Sequence, residues 1–381
     1  ETDYYQRASS ADYLGVDPTR RSLTGTGGYV KVGRKGNAKW NFSETFTWSS
    51  PGFDLNDMGY MKETDYLMNE TEIMYRQTDI WKIFRYNAFT LSQKNMWNYG
   101  GTPFSNNASL RWQSMTMNRY EWDVKETFAW NWLDSRLLRG GPDVRFGSYF
   151  LTSAKFNTDK AKRMMFMLKY EGDHNFEGNR FNTISPSLTF RLGNHVYLSG
   201  QLDYAWNTDE MQYVATTSPL SSSSLTPYYY VMGHMDQKTY GLTLKLQVNV
   251  TPDISIQFYG APFTSIAKYD DFKLAADTKS HTFENRFQRI DPDQLTYADG
   301  VYTIGEGAGQ MPFRNPDFRF NEFRSNLVAR WEYLPGSTLY FVWEHRMSNR
   351  DNWYSSGWGS NLDRMWGLPA TNTVSYTHLT L

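Results

Sequence analysis

The stretch Leu242-Thr-Leu-Lys-Leu-Gln-Val-Asn-Val250 places an apolar residue at every second position and a polar residue between each pair. Successive side chains of a β-strand point to opposite faces of the sheet, so a strand here has one apolar and one polar face. The segments Val196–Trp206 and Tyr120–Trp132 repeat the pattern, and only Glu126 interrupts the apolar row of the second. A helical period would scatter these residues around a cylinder, so the alternation predicts strands.

The same alternation continues along most of the chain. With clusters of Gly, Pro, Asn and Asp taken as turns, it predicts about fourteen strands. They cover residues 28–35, 38–49, 66–77, 82–95, 106–117, 120–132, 143–154, 162–172, 181–192, 195–208, 238–251, 254–267, 323–334 and 338–348. Most exceed the roughly 5–6 residues of strands in soluble proteins and match the ~9–11 that cross a bilayer at a tilt.

The predicted links between strands alternate between short and long. The short turns are 35–37, 118–119, 193–194, 252–253 and 335–337, and the long links are 50–65, 96–105, 133–142, 173–180, 209–237, 268–322 and 349–370. Outer-membrane barrels have short periplasmic turns and longer extracellular loops. The sequence therefore predicts an all-β fold, an antiparallel transmembrane β-barrel fragment of about 14–16 strands.

Composition agrees with this class. The mean hydropathy is −0.65, and the sequence has no apolar run near the ~20 residues of a spanning helix. In a barrel only alternate residues face lipid, so the average stays hydrophilic. Aromatic residues make up 17% of the chain, which is typical of membrane-interface girdles and also of soluble carbohydrate-binding proteins. The net charge of −1 argues against a nucleic-acid partner.

Both ends of the chain predict a fragment. Glu1 is preceded by neither an initiator Met nor a signal segment, so we expect the natural start upstream. The last residues, Val374-Ser-Tyr-Thr-His-Leu-Thr-Leu381, look like translated sequencing adapter. We therefore interpret residues 1–373 as a barrel that is incomplete at both ends, and residues 374–381 as a non-native tail.

Several motifs carry a family resemblance. They are Ala11–Arg20, Pro51–Gly59, Leu138–Pro142, Asp236–Thr239, Asn315–Phe318 and Phe323–Thr338. In order and spacing they resemble the C-terminal barrel region of the bacterial family called domain of unknown function 5916. The resemblance implies a bacterial outer-membrane location, an N-terminal module similar to carbohydrate-binding family 9, and contact with outer-membrane lipid, the barrel-assembly machinery and glycans. Some members are labelled membrane-associated hydrolases.

Two family motifs lie in predicted links. The first contains Asp54, Asn56 and Asp57 and is followed by Glu63 and Asp65, whose carboxylates could ligate Ca²⁺ or simply be solvated. Its match to the family favours a role in folding or loop docking, and we predict no metal site. The second motif, Arg139, Gly140, Gly141 and Pro142, is a loop-to-strand transition where Gly supplies unusual dihedral angles.

Aromatic residues of two long links are the candidate ligand-binding residues. They are Tyr228, Tyr229 and Tyr230 in one link and Trp353, Trp358 and Trp366 in the other. Exposed aromatic rings can stack on sugars. Tyr and Trp near the ends of barrel strands are also the usual girdle residues.

No catalytic or cofactor site is predicted. The six histidines are dispersed without a metal-binding spacing, and neither a Gly-x-Ser-x-Gly elbow nor a Walker loop occurs. The acidic residues of the longest link could form a glycosidase pair, but their spacing does not fix two at one place. They are Asp270, Asp271, Asp291, Asp293, Asp299 and Glu306.

Three functions stay open at this point. The first is a barrel that anchors a carbohydrate-binding module and takes part in glycan binding or uptake. The second is a porin-like channel or transporter, and the third is a membrane-associated hydrolase. The charged strand residues opposite the apolar row are expected to line the lumen. They are Lys125, Lys169, Asp203, Lys245, Arg330 and Glu332.

Overall fold

The computed structural model describes residues 19, 21–55, 61, 63–220, 228–351 and 358–379. One short α-helix, α1 (Trp358–Trp366), and three short 3-10 helices accompany twenty-one strands in this part of the chain. The strands are β1 (Gly27–Arg34), β2 (Trp40–Ser49), β3 (Tyr66–Gln77), β4 (Phe84–Trp97), β5 (Pro103–Thr116), β6 (Glu121–Trp130), β7 (Trp132–Asp134), β8 (Val144–Phe146), β9 (Tyr149–Asn157), β10 (Met164–Asn175), β11 (Arg180–Leu192), β12 (Val196–Thr217), β13 (Tyr229–Asn249), β14 (Ile254–Ala275), β15 (Phe287–Arg289), β16 (Leu295–Ala298), β17 (Val301–Ile304), β18 (Met311–Arg314), β19 (Phe318–Leu334), β20 (Ser337–Asp351) and β21 (Thr371–Leu379).

One sixteen-stranded antiparallel sheet dominates the structure. Its strands follow chain order from β1 to β6, then β9 to β14, then β19 to β21, and β15 adds to the far end of β14. The predicted all-β antiparallel fold is therefore confirmed. In the described residues no pairing joins β1 to β21, so the sheet is open. None of the described helices is long and apolar enough to cross a membrane.

Each of the fourteen predicted strands corresponds to a strand of this sheet, but several boundaries were wrong. β12, β13 and β14 extend to about 22 residues because they continue pairing past β-bulges into what we predicted to be links. The longest links all lie on one side of the sheet. Two links on that side, residues 98–102 and 176–179, are as short as the turns on the other side, so short and long links do not alternate strictly. Residues 374–379 of the expected tail belong to β21 and pair with β20; the origin of that segment stays a prediction.

The strand register separates two faces of the sheet. Leu246 lies between Leu198 of β12 and Phe258 of β14, and the same row continues through Leu327 to Trp343. We call this side the apolar face. Its large side chains remain exposed from one edge of the sheet to the other. They include Val30, Phe42, Ile73, Leu91, Leu110, Trp122, Leu188, Leu198, Leu244, Trp331, Trp343 and Val374.

The opposite side, which we call the polar face, carries the six charged residues that the sequence placed opposite the apolar row. Several of them are paired. Lys169 contacts Glu171 at 2.6 Å, and Arg330 contacts Glu332 at 2.6 Å. Asp203 accepts a hydrogen bond from Ser185 at 2.6 Å. These partly exposed pairs satisfy charges on a hydrated surface and contribute little net stability.

Buried apolar side chains concentrate on the long-link side. Residues 131–148, 209–237 and 268–317, as far as they are described, fold together into what we call the long-link layer. One of its apolar clusters contains Phe272, whose ring centroid lies 4.9 Å from that of Tyr302 and 5.1 Å from that of Phe313. A second contains Leu138, Val144, Met211, Met232 and Phe287. The links therefore have a hydrophobic core of their own.

This core generates a stability prediction. Phe313→Ala removes a buried ring that contacts both Phe272 and Tyr302, and such a truncation costs about 3–5 kcal/mol. We expect amide hydrogen exchange to accelerate in β16 to β18 while β10 to β12 keep their protection. Phe176→Ala is the control, because Phe176 is 78% exposed. Equal loss of protection throughout the sheet would contradict a separate core.

Candidate functional site

A cavity of about 350 Å³ lies where the polar face meets the long-link layer. Its floor comes from four neighbouring strands, β9 to β12. Asp173 pairs with Leu151 on one side and with Phe181 on the other, and Phe181 in turn pairs with Asn207. Because directly opposed residues of neighbouring strands point to the same face, these four side chains stand side by side.

The wall of the cavity is aromatic. Trp132 of β7 and Phe146 of β8 lie on either strand of a small hairpin, with ring centroids 5.9 Å and 6.1 Å from the ring of Tyr149. Asp134 fixes the bend that follows β7, since its Oδ1 accepts the backbone N–H of Arg136 at 2.7 Å and that of Leu137 at 3.0 Å. The hairpin thus holds three rings beside the polar floor.

Asn179 joins the wall to the floor. This buried side chain donates from Nδ2 to the Tyr149 hydroxyl at 3.4 Å and accepts the backbone N–H of Glu210 at 2.7 Å. Its own backbone N–H donates to Asn175 Oδ1 at 2.9 Å. A buried amide with satisfied hydrogen bonds is held in a single orientation. Asn179 therefore fixes Tyr149 relative to the bulge of β12.

Two carboxyl groups, those of Asp173 in β10 and Asp209 in β12, face this cavity in a desolvated environment. Both lie nearer to the long links than Trp206, which is the last large apolar side chain exposed on β12. Burial raises the pKa of Asp209, although the N–H of Met211, which donates to Oδ1 at 2.8 Å, opposes the shift. Burial also raises the pKa of Asp173, and the nearby charge of Asp209 adds to that shift. Desolvation disfavours the charged form of an acid.

The hydroxyl of Tyr149 completes this group. Burial raises the pKa of Tyr149 well above its ordinary value, and the charges of Asp209 and Asp173 raise it further. The hydroxyl therefore keeps its proton at neutral pH and can act as a donor. The cavity combines hydrogen-bond donors, acceptors and aromatic surface, which is the composition of a small-molecule site.

A buried ionic network lies in the adjoining part of the long-link layer. Lys273 is 1% exposed, and its Nζ lies 3.2 Å from Asp271 and 3.9 Å from Glu210. The other Glu210 oxygen contacts His234 Nδ1 at 3.0 Å. Burial alone lowers the pKa of His234, but the Glu210 carboxylate outweighs it and the net shift is upward. These contacts cross-link β12, β13 and β14 and have a structural explanation. Among the described residues no cluster of His, Asp or Glu could hold a metal.

The second family motif, which begins at Arg139, packs against tyrosine residues of the predicted link 209–237. The guanidinium of Arg139 lies 4.6 Å from the ring centroid of Tyr213, and a Cβ on Gly141 would stand 2.7 Å from the ring of Tyr230. Gly140 has φ +103°, a conformation that favours glycine. Pro142 follows Gly141 in the turn before β8, Tyr229 begins β13, and Tyr228 is exposed just before it. These residues belong to the packing of the long-link layer.

The remaining predicted site residues lie elsewhere. Asp54 is exposed in the link between β2 and β3. Trp366, which is 56% exposed, packs edge-on against Phe323 at 4.9 Å from the end of α1. Trp358 begins α1, and its side chain lies outside the described part. Asn56, Asp57 and Trp353 also lie outside the described residues.

Sequence reasoning missed the cavity. Its residues come from β7 and β8, from the ends of β9 to β11 and from the middle of β12, and Asp173 and Asp209 each stand where a predicted strand passes into a predicted link. Carboxylates at such positions were a usable signal, because strand ends on one side of a sheet converge. The extension of β12 past residue 208 hid this position.

The burial of Asp209 generates a pH prediction. The pKa of Asp209 is raised, so ionisation of this carboxyl group destabilises the folded state. The protonated carboxyl group contributes to stability below its ordinary pKa, and this contribution is lost as the pH rises through the pKa of the folded state. Asp209→Asn cannot ionise and retains an oxygen for the Met211 N–H. We expect the variant to melt at a higher temperature than the parent at pH 7, with the gain disappearing towards pH 3. The exposed Asp293→Asn is the control; an equal gain at both pH values would contradict the prediction.

Comparison with known proteins identifies the family. The chain matches, over residues 2–379, the family described as a domain of unknown function, number 5916. No curated protein and no solved structure matches it. Since the match covers nearly every residue, the predicted resemblance is confirmed, and the chain belongs to the family of domain of unknown function 5916.

Proposed function

We propose that the chain is part of an outer-membrane β-barrel that anchors a carbohydrate-binding module at the bacterial cell envelope and takes part in glycan binding or uptake. The observation that carries this proposal is the apolar face. Large apolar side chains stay exposed on it from Val30 in β1 to Val374 in β21. Monomeric soluble proteins rarely expose continuous apolar patches beyond a few hundred Å². Contact with lipid hydrocarbon would cover this face.

The two other features of the sheet support the same proposal. Apart from β15, the strands of the main sheet have 8 to 22 residues, which suits a tilted crossing of the bilayer. The longest links lie together on one side, as extracellular loops do in outer-membrane barrels. A closed barrel would remove the open edges at β1 and β21. Its assembly would require the barrel-assembly machinery as a partner.

The polar face favours a second candidate, a porin-like channel or transporter. Closure would turn this face inward, where pairs such as Arg111 and Asp123, 2.5 Å apart, would meet water. Flux of small sugars through liposomes that contain the chain would support the channel. A barrel that folds but conducts nothing would leave anchoring as the function. A membrane-associated hydrolase has only the two partly buried carboxyl groups of the cavity, Asp173 and Asp209, in its favour.

The membrane proposal is tested by one pair of substitutions. Leu244 is 40% exposed on the apolar face, and the adjacent Lys245 stands on the polar face. An arginine facing lipid near the midplane costs about 2–4 kcal/mol. The measurement is a gel of outer-membrane preparations, in which the band of a folded barrel shifts on boiling. We expect Leu244→Arg to lower the share of the protein whose band shifts, while Lys245→Leu leaves that share nearly unchanged.

Two results would contradict the proposal. One is an equal effect of the two substitutions, because the two faces would then meet the same environment. The other is a parent chain that fractionates as a soluble protein and does not shift on boiling.

A further inference from the structure

We propose that the cavity between β9 to β12 and the β7–β8 hairpin binds a glycan through a sugar ring that carries no acid group. This inference rests on the proposed role in glycan handling and gives that role a site. It uses none of the loop aromatic residues that the sequence singled out.

The aromatic wall provides the surface that a sugar ring needs. A pyranose has a flat side of C–H groups, which packs against the face of an aromatic ring. The ring centroids of Trp132 and Phe146 lie 5.9 Å and 6.1 Å from that of Tyr149, so the three rings form one surface. Asp134 and Asn179 hold this wall in place through hydrogen bonds to the turn and to the Tyr149 hydroxyl. A preorganised wall lowers the entropic cost of binding.

The floor provides the matching polar groups. Asp173 and Asp209 accept hydrogen bonds when ionised, and Asn207 both donates and accepts. Sugar hydroxyls also do both, so several can be satisfied at once. A hydrogen bond from a neutral hydroxyl to a charged carboxylate is stronger than one between two neutral groups.

The charge balance selects the sugar class. Three carboxyl groups, of Asp134, Asp173 and Asp209, line the cavity. The strand register turns the Arg180 side chain to the opposite face, because Arg180 pairs with Thr208. A uronic acid would bring a further negative charge beside the three carboxyl groups, which disfavours binding. The charge therefore favours a sugar ring without an acid group.

The size and position of the cavity set how much of a glycan it holds. Its volume of about 350 Å³ lies at the small end of the roughly 300–1,000 Å³ range of ligand sites. It therefore suits one end or one short segment of a glycan. The rest of the chain would extend over the long-link layer.

The test is calorimetric titration of the detergent-folded chain with defined hexasaccharides. The probes without an acid group are cellohexaose, xylohexaose, maltohexaose, mannohexaose and a hexamer of glucosamine, and the acidic probe is a hexamer of galacturonic acid. We expect at least one probe without an acid group to bind more tightly than the acidic probe. Tighter binding of the acidic probe, or no binding of any other probe, would overturn the inference.

Four variants locate the site. Trp132→Ala and Asp173→Asn should each weaken binding by about tenfold or more, as expected for loss of an aromatic contact or a charged hydrogen bond. The matched controls Trp366→Ala and Asp293→Asn should bind as the parent does, because both residues are exposed and lie outside the cavity. Equal loss in a control and its cavity variant would overturn the assignment.

A heat-modifiability gel of each variant separates the two proposals. A parent chain that does not shift on boiling contradicts the barrel, and with it the function on which this inference rests. A parent chain that shifts but binds none of the probes without an acid group contradicts the sugar site alone. If Trp132→Ala does not fold, Asp173→Asn still decides, because asparagine is nearly isosteric with aspartate.

Discussion

The backbone hydrogen-bond ladder between antiparallel strands is the constraint on which the rest of the structure depends. From β1 to β21 each strand pairs with its neighbour in a register that has few shifts. A slip of one residue would move every apolar side chain of a strand to the polar face. The register therefore determines both the continuous apolar row and the position of Asp173 beside Phe181. Fold and cavity have the same origin.

The exceptions to the alternation also follow from this ladder. Glu44 falls on the apolar face of β2, where its Oε2 accepts a hydrogen bond from Thr71 at 2.6 Å and its Oε1 accepts one from Asn69. Glu126, the residue that interrupts the apolar row of β6, accepts a hydrogen bond from Thr152 at 2.7 Å. In each case the directly opposed residue of the neighbouring strand is the threonine. These two glutamates thus have cross-strand partners, which reduces the cost of removing them from water.

The sequence was sufficient to predict the sheet because alternation is a local signal. It was insufficient for the long-link layer, since β15 to β18 are only three or four residues long and are too short to show a period. The extension of β12 was missed because Asp209, Glu210 and Gln212 break the alternation, and a bulge there lets pairing continue. The cavity was missed because this extension hid the position of Asp209, and because its residues come from separate parts of the chain. The register of β9 to β12 brings the strands of Asp173 and Asp209 together, and Trp132 comes from the β7–β8 hairpin.

The hairpin that forms the cavity wall is held in place from far along the chain. The Thr278 hydroxyl donates to the Asp143 carbonyl at 2.7 Å, and Arg145 donates its backbone N–H to the Thr278 carbonyl at 2.9 Å and its Nε to the Lys279 carbonyl at 2.9 Å. Glu177, at the β10–β11 link, contacts the buried Arg286 at 2.9 Å and accepts the N–H of Gly147 at 2.8 Å. All of these bonds except the one between Gly147 and Glu177 join residues more than a hundred positions apart in the chain. The cavity is consequently a product of the assembled long-link layer, and its shape is coupled to the packing of residues 276–290 although none of them lines it.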